Sequence, residues 1–98
     1  MSDWINDLKN NNVSTPKISY TFAIGDRVQV VDSDFSYPFP SFAKDMKLNN
    51  FLKEVPDGVV CHIVNRMLHP SFPEFELYGL EDQDGDQYIV DQGGLQSV

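Results

Sequence analysis

Three aspartates spaced two apart, Asp82, Asp84 and Asp86 around Gly85, come nearest in this chain to metal-binding chemistry. Alternate carboxylates converge on a hard cation in a calcium loop, but that loop needs its glycine after the third ligand and a glutamate further on, between two helices. Here Gly85 precedes Asp86 and a strand-like stretch follows, so the spacing reads as a hairpin tip in which Asp-Gly supplies the positive φ of the tight turn. Cys61 and His62 are the next candidates, as nucleophile and base. Neighbours on a strand point to opposite faces, so they cannot act as a pair, and Cys61 could meet His69 only through the fold. A cysteine in an apolar strand reads as a buried structural residue. No Ser/His/Asp arrangement, phosphate-binding glycine loop or metal-ligand spacing accompanies these residues. The expectation is a protein that is not an enzyme and needs no cofactor.

Binding is the chemistry that remains, and its most unusual carrier is Asp34-Phe35-Ser36-Tyr37-Pro38-Phe39-Pro40-Ser41-Phe42. Aromatic side chains held by prolines lose little entropy on association and fill pockets well, which suits Phe35, Tyr37 and Phe39 to a partner interface. The competing reading is that Phe35, Phe39 and Phe42 close one end of the core beneath a long loop, with one or two rings left outside.

Charge supplies a second carrier. The 98 residues have a net charge of −8. Residues 1 to 66 hold eight acids against seven Lys/Arg, whereas residues 67 to 98 hold seven acids (Glu74, Glu76, Glu81, Asp82, Asp84, Asp86 and Asp91) and no Lys or Arg. Phosphate backbones are repelled by such a field, so no direct nucleic-acid contact is expected, and a basic protein surface is the favoured partner. An acidic face also simply keeps a small protein in solution.

The elements that position these residues follow from pattern and punctuation. Residues 1 to 19 read as an appendage: Trp4, Ile5 and Leu8 fit a short amphipathic helix with Ser2 as N-cap, followed by a polar linker. Trp4 then either packs back on the domain or docks on a partner. Residues 20 to 98 read as one domain. A strand is expected over Ile18 to Phe22, a turn at Gly25-Asp26, and a β-branched strand over Arg27 to Val31. Residues 32 to 57 form a long insertion with a helix from Ser41 to Lys53. Val59 to Arg66, continuing to Leu68, is the central strand. His69-Pro70-Ser71-Phe72-Pro73 breaks the ladder, because proline lacks the N–H a strand must donate. Strands over Phe75 to Leu80 and Tyr88 to Val90 flank the Asp-Gly hairpin, and Gly93-Gly94 turns into a last short strand. One cysteine excludes an internal disulfide. With an acidic amino terminus and no run of eighteen apolar residues, neither an export signal nor a membrane span is expected, and the default compartment is cytoplasmic.

Taken from Gly25 to Val98, this order resembles the SH3-like small barrel found in KOW and Tudor domains and in small photosynthetic accessory subunits. The resemblance is carried by Gly25-Asp26-Arg27-Val28-Gln29-Val30, by Gly58-Val59-Val60 with Ile63, by Gly85, and by Tyr88-Ile89-Val90 with Leu95. It implies a mainly β fold, a five-stranded closed barrel with a long helix-containing loop, and by analogy a binding module. RNA-binding KOW domains look basic where this chain is acidic. The peptide-binding SH3 domain has a central Trp that is absent after Trp4. The loop with Phe35, Tyr37, Phe39 and Phe42 is similar to a Tudor aromatic cage.

The leading functional expectation is a non-catalytic interaction module, an adaptor or accessory subunit that presents its acidic face and aromatic loop to a basic protein surface or larger complex. A small phage-type inhibitor that mimics nucleic acid is the alternative, with Glu74, Glu76, Glu81, Asp82, Asp84 and Asp86 standing in for phosphates. A structural subunit tethered through Trp4 is the third.

Overall fold

The computed structural model describes residues 19–98, so the Trp4 appendage expected ahead of the domain lies outside the described residues. Five strands follow in chain order, β1 (Arg27–Val30), β2 (Val60–Leu68), β3 (Glu76–Glu81), β4 (Gln87–Asp91) and β5 (Leu95–Ser97). They form one antiparallel sheet in the order β4-β3-β2-β1-β5, with β2 central as its apolar run requires. Alternation sets the inner face: Val28 and Val30 are fully buried while Arg27 is exposed, and Cys61 and Ile63 turn inward while Val60 and His62 face out.

The expected barrel closure is not reached by hydrogen bonding, because β4 and β5 end the sheet and no ladder joins them. The chain nevertheless passes from Asp91 to Leu95 through a single 3-10 turn, Gln92–Gly94. Five strands laid flat would set their outer members about 19 Å apart, and four residue steps reach only about 14 Å. The sheet is therefore not flat but curls, so that its end strands are nearer than they would be in a flat sheet.

Apolar residues pack on both faces of β3 and β4, which is why both strands are buried on successive residues. Inside the curl, Phe22, Val28, Val30, Cys61, Ile63, Tyr78, Leu80, Tyr88, Val90 and Leu95 make the larger core. On the outer face Leu77 and Ile89 meet Ala43, Met46 and Leu48 of the long β1–β2 connection, with Tyr37, Phe42, Phe51 and Met67 at its margin. A β-bulge between Ile63 and Asn65 shifts the β2–β3 register and aims Asn65 at this second layer, where its Nδ2 donates to Met46 O (3.0 Å).

Two expected elements differ. The helix over Ser41 to Lys53 is only α1 (Pro40–Asp45), with Pro40 in its first turn. It stops because Lys47 takes φ +59°, so that Leu48 N–H returns to Ala43 O (2.9 Å) and Lys47 N–H to Lys44 O (3.1 Å). That is a Schellman ending with lysine where glycine is usual, and it turns Leu48 inward rather than along a helix. Replacing Lys47 by glycine is expected to stabilise the fold by about 1 kcal/mol, the strain of a side chain in the left-handed region. A higher denaturant midpoint at unchanged slope would show this; an unchanged midpoint would mean that the lysine makes compensating contacts.

The strand expected over Ile18 to Phe22 is also absent from its described part. Thr21 and Phe22 pair with side chains instead of a ladder: Thr21 N–H donates to Glu76 Oε1 (2.8 Å), Phe22 N–H to Tyr78 Oη (3.0 Å), and Arg66 Nη1 to Phe22 O (2.7 Å). The Arg66 guanidinium also lies 4.3 Å from the centre of the Tyr20 ring.

Candidate functional site

Two proline-bearing loops meet on the outer side of the sheet and put six aromatic rings in contact. In the β1–β2 connection, the Asp32 carboxylate caps a 3-10 turn (Ser33–Phe35) by accepting from Asp34 N–H (3.0 Å). Ser36 then bridges to Val90, and Tyr37 N–H donates to Ile89 O (2.8 Å), so the loop covers the outer edge of β4. The Tyr37 hydroxyl donates to Asp91 Oδ2 (3.2 Å), whose other oxygen accepts from Gly93 N–H (2.7 Å). Burial, then the charge and hydrogen bond of Asp91, raise the Tyr37 phenol above its ordinary pKa. With Tyr37 fixed, Pro38 and Pro40 direct Phe39 outward and start α1, which brings Phe42 back toward the sheet.

The second loop joins β2 to β3. His69 N–H donates to Phe75 O (2.9 Å), and Phe75 N–H to Phe72 O (2.9 Å) across a turn containing Pro73 and Glu74. His69 Nδ1 accepts from both Ser71 N–H (3.0 Å) and Phe72 N–H (3.2 Å), so the imidazole organises the loop from within. The ladder expected to break at 69–73 does break, and the break builds a structure of its own.

The rings run without interruption from one loop to the other. Phe39 and Phe42 are 5.7 Å apart, Phe42 and His69 5.3 Å, His69 and Phe72 5.2 Å, and Phe72 and Phe75 6.2 Å between centroids, with Tyr37 also 5.8 Å from His69. All are edge-to-face or tilted, as ring quadrupoles favour. Phe39 (49%), Phe72 (53%) and Phe75 (39%) remain exposed, whereas Phe42 and Tyr37 pack against the second core. The rings touch one another rather than framing a space, so the arrangement is a continuous apolar surface and not a cage. Phe35 is exposed too, but its ring lies against Gly93 and outside this chain of contacts.

Sequence reasoning found Tyr37 and Phe39 and missed His69, Phe72 and Phe75. A signal was present: prolines alternate with aromatics in His69-Pro70-Ser71-Phe72-Pro73-Glu74-Phe75 much as in Tyr37-Pro38-Phe39-Pro40-Ser41-Phe42.

The six acids expected at a partner surface are divided between the two ends of β3, about 17 Å apart by the rise of a strand. Glu74 is exposed in the aromatic loop. Glu76 is turned to internal work: burial alone would raise its carboxyl, but hydrogen bonds from Tyr78 and Thr21, with the nearby Arg66 charge, leave it below its ordinary pKa. At the far end, Glu81 accepts from Gln87 Nε2 (3.1 Å). Asp82 is consumed by the hairpin, its Oδ1 accepting from Asp84 N–H (2.9 Å) and Asp86 N–H (3.0 Å) and its Oδ2 from the Tyr88 hydroxyl (2.9 Å). Asp84 is exposed and Asp86 half-buried at the same tip. Gly85 there takes φ +86°, as the Asp-Gly turn requires.

Cys61 and His62 occupy opposite faces. The Cys61 thiol is pushed up to about 12 by burial and by the Asp82 charge, so it is protonated at neutral pH. Among the described residues no three His, Cys, Asp or Glu side chains converge as metal ligands, and no helix is long and apolar enough to cross a membrane. Comparison with protein-family models, curated proteins and solved structures finds no match to this chain, so its reading rests on its own residues.

Proposed function

We propose that this chain is a non-catalytic interaction module, an SH3-like small barrel in which the aromatic surface of the Tyr37–Phe42 and His69–Phe75 loops docks a basic segment of a partner protein. The observation that carries the proposal is the unbroken ring surface, with three phenylalanines 39% to 53% exposed on loops stiffened by Pro38, Pro40, Pro70 and Pro73. Exposed rings on a soluble fold are costly unless they are covered in use, and preformed loops lose little entropy when they bind. Phenyl rings attract guanidinium and ammonium groups. Glu74 stands within the surface, and the net charge of −8 draws cationic partners toward it. The division of the acids between the two ends of β3, with Glu76 and Asp82 bonded internally, weighs against a phosphate-like row of the kind nucleic-acid mimicry needs.

Selection from a random peptide library tests this. Sequences that pair Lys or Arg with apolar residues are expected to enrich on the wild-type chain and to be lost on Phe39→Ser/Phe72→Ser, with backbone amide shifts confined to the two loops. Enrichment of acidic sequences, or binding untouched by the double substitution, would sink the proposal.

A further inference from the structure

We infer that His69 makes the docking surface acid-sensitive: a proton on its Nδ1 undoes the second loop and sets a positive charge among the rings, so that a basic segment bound at neutral pH is released on acidification. The inference rests on the reading of that surface as the docking site.

A backbone N–H only donates, so a ring nitrogen that accepts two of them carries no proton of its own. His69 Nδ1 accepts from Ser71 N–H (3.0 Å) and Phe72 N–H (3.2 Å), which fixes the neutral imidazole with its one proton on Nε2. A charged imidazole carries a proton on both nitrogens. An Nδ1–H in this place would point at two other donors, so both bonds must break, and with them the turn that sets the Phe72 ring 5.2 Å from His69. The imidazole also lies between the loops, 5.8 Å from Tyr37 and 5.3 Å from Phe42. Its charge would stand in the middle of the surface and repel the Lys or Arg that the rings attract. Loss of loop order and like-charge repulsion therefore act in the same direction.

Of the titratable and charged groups on the elements packed around it, Tyr37 gives its hydroxyl to Asp91 of β4 (3.2 Å), Arg66 of β2 bonds to Phe22 O, and Glu76 of β3 accepts from Thr21 N–H and the Tyr78 hydroxyl. Lys44 and Asp45 lie beyond Phe42 on α1, and Glu74 stands exposed in the loop itself. Among the described residues none of these bonds to the imidazole, so no partner stands ready for a proton on Nδ1.

Between about pH 8 and about pH 5.5 imidazoles as a class gain their proton while carboxylates stay ionised, so that window isolates histidine. Across it the Ser71 and Phe72 amide signals of the full chain are expected to move together. Lys/Arg-apolar peptides without His, Asp or Glu, selected from the library at pH 8, are expected to bind on the order of tenfold more weakly at pH 5.5. His69→Asn keeps an acceptor near the place of Nδ1, in the manner of an Asx turn, but takes no proton. With its fold verified by circular dichroism, it should bind more weakly at pH 8 for want of the ring, and equally at the two pH values. His62→Gln is the control for the other histidine, which lies in register with Arg27 and Glu81 toward the far end of β2, and it should keep the full pH ratio. Peptide binding that is equal at both pH values in the wild type, or a ratio that survives His69→Asn, would overturn the inference and leave the docking surface standing. Ser71 and Phe72 amides that ignore the change of pH would do the same. If those amides respond in the wild type and not in His69→Asn, yet no basic peptide binds the loops at pH 8, the proposed function fails and the proton-sensitive loop remains.

Discussion

Gly94→Ala is expected to destabilise the protein by about 3 kcal/mol or more, whereas Gly93→Ala, one residue earlier, costs about 1 kcal/mol at most. A methyl on Gly94 would stand 2.6 Å from Asp32 O, 2.7 Å from Val90 Cγ1 and 2.9 Å from Phe35 Cβ. The first of these is backbone, and it is held in place: Val31 N–H donates to Gly94 O (2.8 Å), so β1 and the 3-10 turn between β4 and β5 are already locked together. Relief would require the turn to move away from β1, which loosens the short link between β4 and β5. A methyl on Gly93 meets the edge of the Phe35 ring at 3.0 Å and Asp91 Oδ1 at 3.2 Å, both side-chain atoms, and Phe35 is 41% exposed, so a shift of a few tenths of an ångström relieves the contact. Denaturant midpoints of the two variants separate these cases. Equal losses would show that the turn yields as easily as a surface ring, and that it does not hold the curl.

That contrast also shows why the strands were legible in the sequence and the closure was not. Val28 and Val30, or Cys61 and Ile63, announce an inner face by alternation alone, a property of neighbours along the chain. Whether β4 and β5 join by a ladder depends on sheet curvature, which no single segment encodes. The overlong helix failed for a local reason. Phe42, Met46 and Asn49 keep helical spacing past the point where Lys47 leaves the helical region, and lysine gives no warning of that as glycine would. The strand expected over Ile18 to Phe22 failed for a distant one, since the hydrogen-bond partners of Thr21 and Phe22, Glu76 and Tyr78, lie more than fifty positions away.

The candidate site divides along the same line. Tyr37 and Phe39 stood out by composition, because four aromatics and two prolines in nine residues are conspicuous in any fold. His69, Phe72 and Phe75 carried a comparable pattern that ladder-breaking explained sufficiently. The β2–β3 register and the bond of Tyr37 N–H to β4 help bring the two loops together, and both are long-range facts. The acids show the converse. Their sequence proximity suggested one surface, and a six-residue strand running between Glu76 and Glu81 places them at two.

Stability is expected to fall steeply between about pH 9 and about pH 12, from groups inside the larger core. Burial and the hydrogen bond to Glu76 raise the Tyr78 phenol from 10.0 to about 12, and burial with the Asp82 charge raises the Cys61 thiol from 9.0 to about 12. Tyr88 moves in the same direction through burial and its bond to Asp82. Each is an acid whose neutral form the fold favours, so below its unfolded value it is protonated in both states and the stabilisation is whole. As pH rises past that value the unfolded chain releases a proton that the folded chain keeps, and the stabilisation is lost by the folded value. At about 1.4 kcal/mol per unit, Tyr78 and Cys61 together account for on the order of 4 kcal/mol even after water penetration is allowed for, a large part of the total stability of a small domain. Denaturant midpoints measured from about pH 8 to about pH 11.5 should trace this decline. Cys61→Ala, though less stable throughout, should delay its onset from about pH 9 to about pH 10, where the phenols begin to titrate. Were the Cys61→Ala profile merely displaced in parallel, the thiol would have no part in the alkaline limb, and burial of Cys61 would be a packing fact with no consequence for pH.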